Sequence, residues 1–290
     1  IWFVSAYRAV LRMNGNPLLV YKTGACMNFS TFKKKIGNLP MVGPCLRKAW
    51  RVLHGKPATL PPAPFVREPL DPTAAPAHQQ VRQCLNLINY AKAGGKPYSA
   101  TKYPGGYHSM TIGSVRLAGQ RDPEYRLNLA PFNFKGKTVL DIGSNQGGML
   151  LPLGTCLRCG VGVDYDPKMV NVANRIAAVQ GCGQLRYYVF DIDREPLELL
   201  KDFLPDERAD IVFLLSICMW IKNWREVIAF AASIAPALLF ESNGTPQQQS
   251  EQEQELRRRY ARVQLLTGES VDDANQKLRK LFFCDQPVTT

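Results

Sequence analysis

Acid is missing from the start of this chain. Residues 1–67 contain no aspartate or glutamate but eleven lysines and arginines. The remaining 25 basic residues face all 24 acids, so the net charge of +12 lies almost wholly in that first segment. The near-neutral remainder does not favour a nucleic-acid groove there. Histidine is scarce, with His54, His78 and His108 the full set. The cysteines are scattered and form one close pair, Cys156 and Cys159, which does not supply zinc-ligand spacing. Reduced structural thiols in a cytoplasmic protein are the expectation. Long apolar runs are lacking as well. Ile211–Ile221 and Val227–Phe240 fall short of the ~20 residues of a membrane span and read as sheet core. Ile1–Val10 carries no signal-peptide cleavage pattern, the chain does not begin with Met, and Met27 is a candidate natural start.

The hydrophobic fraction of 46% supports a sizeable core. Three regions are expected: a basic extension over 1–67, a helix and candidate substrate lid over 68–133, and a catalytic domain over 134–290. In the extension, Cys45, Leu46, Trp50 and Leu53 share a helical face flanked by Arg47, Lys48 and Arg51. Such a segment either docks on its own domain or lies on an anionic membrane surface. Seven prolines between residues 55 and 76 mark a linker. An amphipathic helix follows over Ala77–Ala93, placed to cover the cofactor end of a sheet. Residues 97–122 combine tyrosines, His108, Arg116, Gln120 and Arg121 with four glycines. They suit a substrate lid or an ordinary surface hairpin. Asp122-Pro123 reads as the capped start of a short helix.

The stretch Lys137–Pro167 organises the rest. Thr138–Ile142 is an apolar run with Asp141 at its end. Gly143, Gly147 and Gly148 follow, and an apolar segment expected to be helical begins at Met149. A second run, Gly160–Val163, ends in Asp164, 23 positions after Asp141. This is strand, glycine turn, helix, strand, acid: a site where a backbone approaches a nucleoside and an acid takes its ribose hydroxyls. Further strands are expected at Leu185–Phe190, Ile211–Ser216, Ala237–Glu241, Val263–Leu266 and Lys280–Cys284. Helices are expected at Lys168–Val179, Pro196–Phe203, Trp224–Ile234 and Gln247–Tyr260, the last with a solvated Gln/Glu-rich start. Seven strands alternating with helices predict an α/β doubly wound sheet.

Asp141-Ile-Gly143-Ser-Asn145-Gln-Gly147 resembles the first motif of the class I S-adenosyl-L-methionine (AdoMet) dependent methyltransferases. Gly162-Val-Asp164-Tyr-Asp-Pro167 is similar to their second. The resemblance covers roughly Phe134 to Cys284. It implies a Rossmann-like methyltransferase sheet whose last strand is inserted antiparallel, with AdoMet as cofactor. It also implies that Asp141, Gly143, Asn145 and Gly147 form the methionine-binding loop. Asp164 would take the ribose, Tyr165 would cover adenine, and Asp191 would lie near the adenine amino group. Acceptor-side candidates are Ser216, facing the transferring methyl, Trp220, as a stacking platform or a roof over the core, and Arg121. His108 and Glu241 are the candidate bases, His108 because an ordinary imidazole titrates near neutrality. A nicotinamide dehydrogenase would need glycine where Asn145 stands. The acceptor stays open between a glycan or small molecule, which the neutral core favours slightly, and RNA. A non-catalytic AdoMet-binding module is a further alternative.

Overall fold

A computed structural model describes residues 10–13, 16–19, 76–93, 100–272 and 278–288. The chain divides into two compact units, Ile1–Ala63 and Pro64–Thr290. The division falls inside the proline linker. In the first unit, β1 (Val10–Met13) and β2 (Asn16–Leu19) form an antiparallel hairpin. The helical face expected over Cys45–Leu53 lies outside the described residues.

The second unit holds α1 (Pro76–Lys92), β3 (Met110–Ile112), β4 (Val115–Leu117), α2 (Pro123–Leu129), β5 (Thr138–Ile142), β6 (Cys159–Asp164) and α3 (Pro167–Val179). It continues with β7 (Leu185–Val189), β8 (Ile211–Leu215), α4 (Trp224–Ile234), β9 (Ala237–Glu241), α5 (Pro246–Arg259), β10 (Tyr260–Thr267) and β11 (Leu281–Pro287). The seven-stranded sheet has the order β10-β11-β9-β8-β5-β6-β7. The five strands from β9 to β7 are parallel, and β11 runs antiparallel between β9 and β10. The expected doubly wound sheet with an inserted antiparallel strand is therefore present. β5 is buried at every position, as a central parallel strand covered on both faces must be.

Each face of the sheet has its own core. One gathers α1, α3 and the β3–β4 hairpin, with Ile88, Ile112 and Ile176 fully buried; the other gathers α4 and α5, with Ile228 and Leu256 fully buried. Among the described residues of 68–133, α1 and the β3–β4 hairpin share their core with the sheet. The C-terminal end of α1 reaches the segment that follows it, where Lys92 Nζ donates to Tyr103 O and Pro104 O, both at 2.9 Å. The helix packs along α3, with Lys168 Nζ 4.6 Å from the Tyr90 ring centroid.

The helix expected from Met149 is replaced by turns and a 3-10 segment, Leu151–Leu153. Pro152 explains this, since it has no N–H to donate and would crowd the carbonyl four residues back. The expected helix at Pro196 is also 3-10, over Leu197–Phe203. Asp122, Asp166 and Thr245 cap α2, α3 and α5 through side chains that accept backbone N–H groups, each followed by proline. Among the described residues no helix is long and apolar enough to cross a membrane.

Candidate active site

The strand ends of β5, β6, β8 and β9 meet at one edge, and the glycine loop crosses it. Asn145 takes the left-handed conformation, φ 50°, that its motif neighbours reach through glycine. Asparagine tolerates this because its short amide bonds locally, and here Asn145 Oδ1 accepts the Gln146 N–H at 2.8 Å. Gly143 and Gly147 flank it at φ 80° and 77°. Asp164 pins the loop from the next strand: Oδ2 accepts from Asn145 N and Oδ1 from Asp166 N, both at 2.9 Å. Tyr165 beyond it is half exposed, and Asp191, two residues past β7, is partly exposed and paired with Arg194 at 3.4 Å.

Asp141 is buried, and its Oδ2 has no partner among the described residues. Burial, reinforced by the Asp164 charge, raises its carboxyl to about 8. Ser144 Oγ and Gln146 Nε2, on the loop that follows, are also buried without partners among the described residues. Buried polar atoms are normally hydrogen-bonded, so this cluster points to a polar ligand. An amino-acid head group beside a ribose fits it, and AdoMet carries both. Asp141, Asp164 and the loop backbone are the residues that would hold it.

The segment folded over this loop is 103–121. Gly105 N donates to Ala118 O, and Arg121 N to Tyr107 O, both at 2.8 Å, closing the segment below the β3–β4 hairpin. His108 is 6% exposed and its ring rests on Gly148, where a Cβ would come within 2.3 Å of it. That contact is open to glycine alone. Nδ1 of His108 has no partner among the described residues. Burial, then the Arg121 charge, lowers the imidazole to about 3, with Asp272 opposing. The ordinary pKa assumed from sequence therefore does not hold in this conformation.

Glu241, at the end of β9, is the centre of a buried ionic network. Its Oε1 accepts from Arg121 Nη2 at 2.5 Å and Arg126 Nε at 3.1 Å. Ser216, at φ 60° just after β8, donates its hydroxyl to Oε2 and accepts from Arg279 at 3.1 Å. Asp272 closes the network, 3.1 Å from Arg121 and 3.3 Å from Arg126. Glu241 is thus surrounded by guanidinium groups, and Arg121 is fully buried. Trp220, in the loop after β8, is 59% exposed; the neighbouring Trp224 is partly buried and carries Arg225 over its ring at 4.1 Å.

Sequence reasoning missed Arg126, Asp272, Arg279 and Gln146. It also read the Gln-rich start of α5 as solvated, whereas Gln249 and Gln252 are buried against the loop after β9. Gln249 accepts from Ser242 Oγ at 2.7 Å, and Gln252 accepts from Asn243 N at 3.1 Å and donates to Asn243 O at 2.9 Å. Their spacing of three, shared with buried Glu255, was the available signal. Arg126, Asp141, Gly143, Glu241 and His108 line one narrow cavity, which brings the glycine loop, the network and the covering segment together.

A family profile described as a methyltransferase domain matches residues 117–278. The chain belongs to the methyltransferase-domain family. It is an AdoMet-dependent methyltransferase of the Rossmann-like class I fold. Among solved structures it is similar to the N-terminal domain of EvdMO1 with SAH bound, at TM-score 0.51 and 12% identity, covering 73% of this chain and 97% of that one. A structure of EvdMO1 gives TM-score 0.52 and 13% identity, covering 72% of this chain and 47% of that one. The bifunctional kinase-methyltransferase WbdD gives TM-score 0.49 and 18% identity, covering 70% of this chain and 49% of that one. No curated protein matches the chain.

Proposed function

We propose that this methyltransferase acts on a hydroxyl of a polar acceptor, a glycan or a small molecule. The observation that carries the reading is the cavity in which Asp141 and Gly143 of the cofactor loop share walls with Arg126, Glu241 and His108. A hydroxyl both donates and accepts, and these walls offer a guanidinium donor, a carboxylate and an open imidazole nitrogen. When bound, AdoMet supplies an electrophilic methyl group. The protein's part is to hold the acceptor oxygen in line and to take its proton. His108 Nδ1 is the assigned acceptor of that proton. An imidazole lowered to about 3 is a weak base. An alcohol oxygen taking on a methyl becomes a far stronger acid than imidazolium, so a weak base suffices. Glu241, crowded by Arg121 and Arg126, serves to orient the hydroxyl. Trp220 offers an exposed face on which a sugar ring can stack.

The N-terminal domain of EvdMO1 has been crystallised in the presence of SAH and D-fucose. D-fucose therefore belongs in a first acceptor panel. The test is incubation with methyl-labelled AdoMet and a cell extract fractionated into glycans, RNA and small molecules, read by mass spectrometry. Label confined to RNA would overturn the reading. We further propose that residues 1–67, with a charge of +11, bind an anionic membrane surface. Deleting them should abolish sedimentation with anionic vesicles while leaving cofactor binding intact. Loss of cofactor binding in the deleted protein would instead make the segment part of the catalytic fold.

A further inference from the structure

Gln146 follows Asn145 in the glycine loop and is fully buried. Its Oε1 accepts the Tyr107 N–H of the covering segment at 3.3 Å. That bond fixes the amide's orientation, because only the carbonyl end can accept from an N–H. The donor end, Nε2, is left buried with no partner among the described residues. An unmet donor in such a place is costly, and a ligand oxygen would relieve it. The covering segment is cut to fit the same amide. Gly106 adopts φ +80°, and a Cβ there would come within 2.6 Å of Oε1 and 2.8 Å of Nε2.

Two further buried atoms nearby in sequence lack a partner among the described residues, Ser144 Oγ and the acceptor Asp141 Oδ2. A buried acceptor near the end of β5 and a buried donor on the loop that follows match the two charges of an α-amino acid head, ammonium to carboxylate and carboxylate to amide N–H. We infer that Gln146 is a cofactor-binding residue, donating from Nε2 to the carboxylate of the methionine moiety while its carbonyl holds Tyr107. The two bonds share one planar group. Cofactor occupancy and docking of segment 103–121 therefore favour each other, and a cofactor without the amino-acid head engages the loop without engaging the segment. This inference rests on the AdoMet dependence of the family and not on the acceptor proposed above.

The experiment is calorimetry on the full chain with two ligands, S-adenosylhomocysteine and 5′-methylthioadenosine, which shares the nucleoside and sulfur but lacks the amino-acid head. Gln146→Met keeps length and removes the donor. It should weaken S-adenosylhomocysteine roughly tenfold to a hundredfold, as loss of a hydrogen bond to a charged group does, and leave methylthioadenosine within about twofold. Gln146→Glu sets carboxylate against carboxylate and should lose more. The second readout is limited trypsin cleavage at exposed Lys102 and Arg116. S-adenosylhomocysteine should slow cleavage at least about fivefold in the unaltered protein and have little effect in Gln146→Met; methylthioadenosine should slow neither. Equal weakening of both ligands would overturn the inference. So would equal protection by both ligands in the unaltered protein, a result that needs no variant to fold.

Discussion

Arg121 Nη2 lies 2.5 Å from Glu241 Oε1, although 120 positions separate the two in sequence and both are buried. One comes from the covering segment and the other from the end of β9, so this pair anchors that segment to the sheet. Removing one member of a buried ion pair leaves the other charge uncompensated. Glu241→Ala leaves Arg121 and Arg126 to share the single carboxylate of Asp272 and should destabilise the protein by about 3 kcal/mol. Urea unfolding followed by tryptophan fluorescence measures it. A loss below about 1 kcal/mol would mean that the network is solvated in solution.

How far could this network be read from the chain alone? The sheet was legible because its strands are short apolar runs spaced by capped helices, and β5, β9 and α4 fall where the pattern puts them. Glu241 and Arg121 were each visible as candidates. Their pairing was not, since periodicity reports one element at a time and this contact joins elements 120 positions apart. The Met149 segment shows the opposite failure: its apolar pattern was real, and a single proline decided the backbone. His108 was legible as a candidate and misleading in its chemistry. Its pKa is set by burial against Gly148 and by Arg121, neither of which the local sequence reveals.

Asp164 should prove indispensable to cofactor affinity as a whole. It would hold the ribose, and it already fixes the loop through Asn145 N. Asp164→Ala should weaken S-adenosylhomocysteine at least about tenfold and methylthioadenosine by a similar factor, because both ligands carry the ribose. Calorimetry with these two and NAD is the check. NAD binding in place of S-adenosylhomocysteine would contradict the assignment of the loop.

Cofactor binding should release a proton. In the free protein the Asp141 carboxyl is raised to about 8, so below that pH it is largely protonated. An ammonium group beside it favours the charged form and pulls the pKa down. Affinity for S-adenosylhomocysteine should therefore increase with pH up to about 8 and level off above it. The free protein's stability carries the opposite sign. A folded-state pKa raised above the unfolded value of ~3.9 contributes stability that is lost as pH rises through about 8. Titrations in two buffers of different ionisation enthalpy count the proton. Asp141→Asn should flatten the pH dependence of affinity, and a flat profile in the unaltered protein would refute the linkage.

His108 offers the last test, since its buried and neutral state affects both stability and rate. Its folded pKa of about 3 lies below the unfolded value of ~6.5. A depressed value contributes stability that is present above ~6.5 and is lost as pH falls toward 3. Across that window the difference in unfolding free energy between the unaltered protein and His108→Gln should fall by roughly 1.4 kcal/mol per pH unit. Taking the difference removes the opposing contribution of Asp141. For the chemical step, His108→Ala should lower single-turnover transfer about 100-fold at saturating cofactor while leaving cofactor affinity nearly unchanged. The rate of the unaltered enzyme should nevertheless show no break near pH 6.5, because the imidazole is already neutral there. A break at that pH, abolished in His108→Ala, would mean that the covering segment lifts and the ring is solvated before the methyl moves. An unbroken profile with the variant close to the unaltered rate would leave His108 to seating the segment on Gly148.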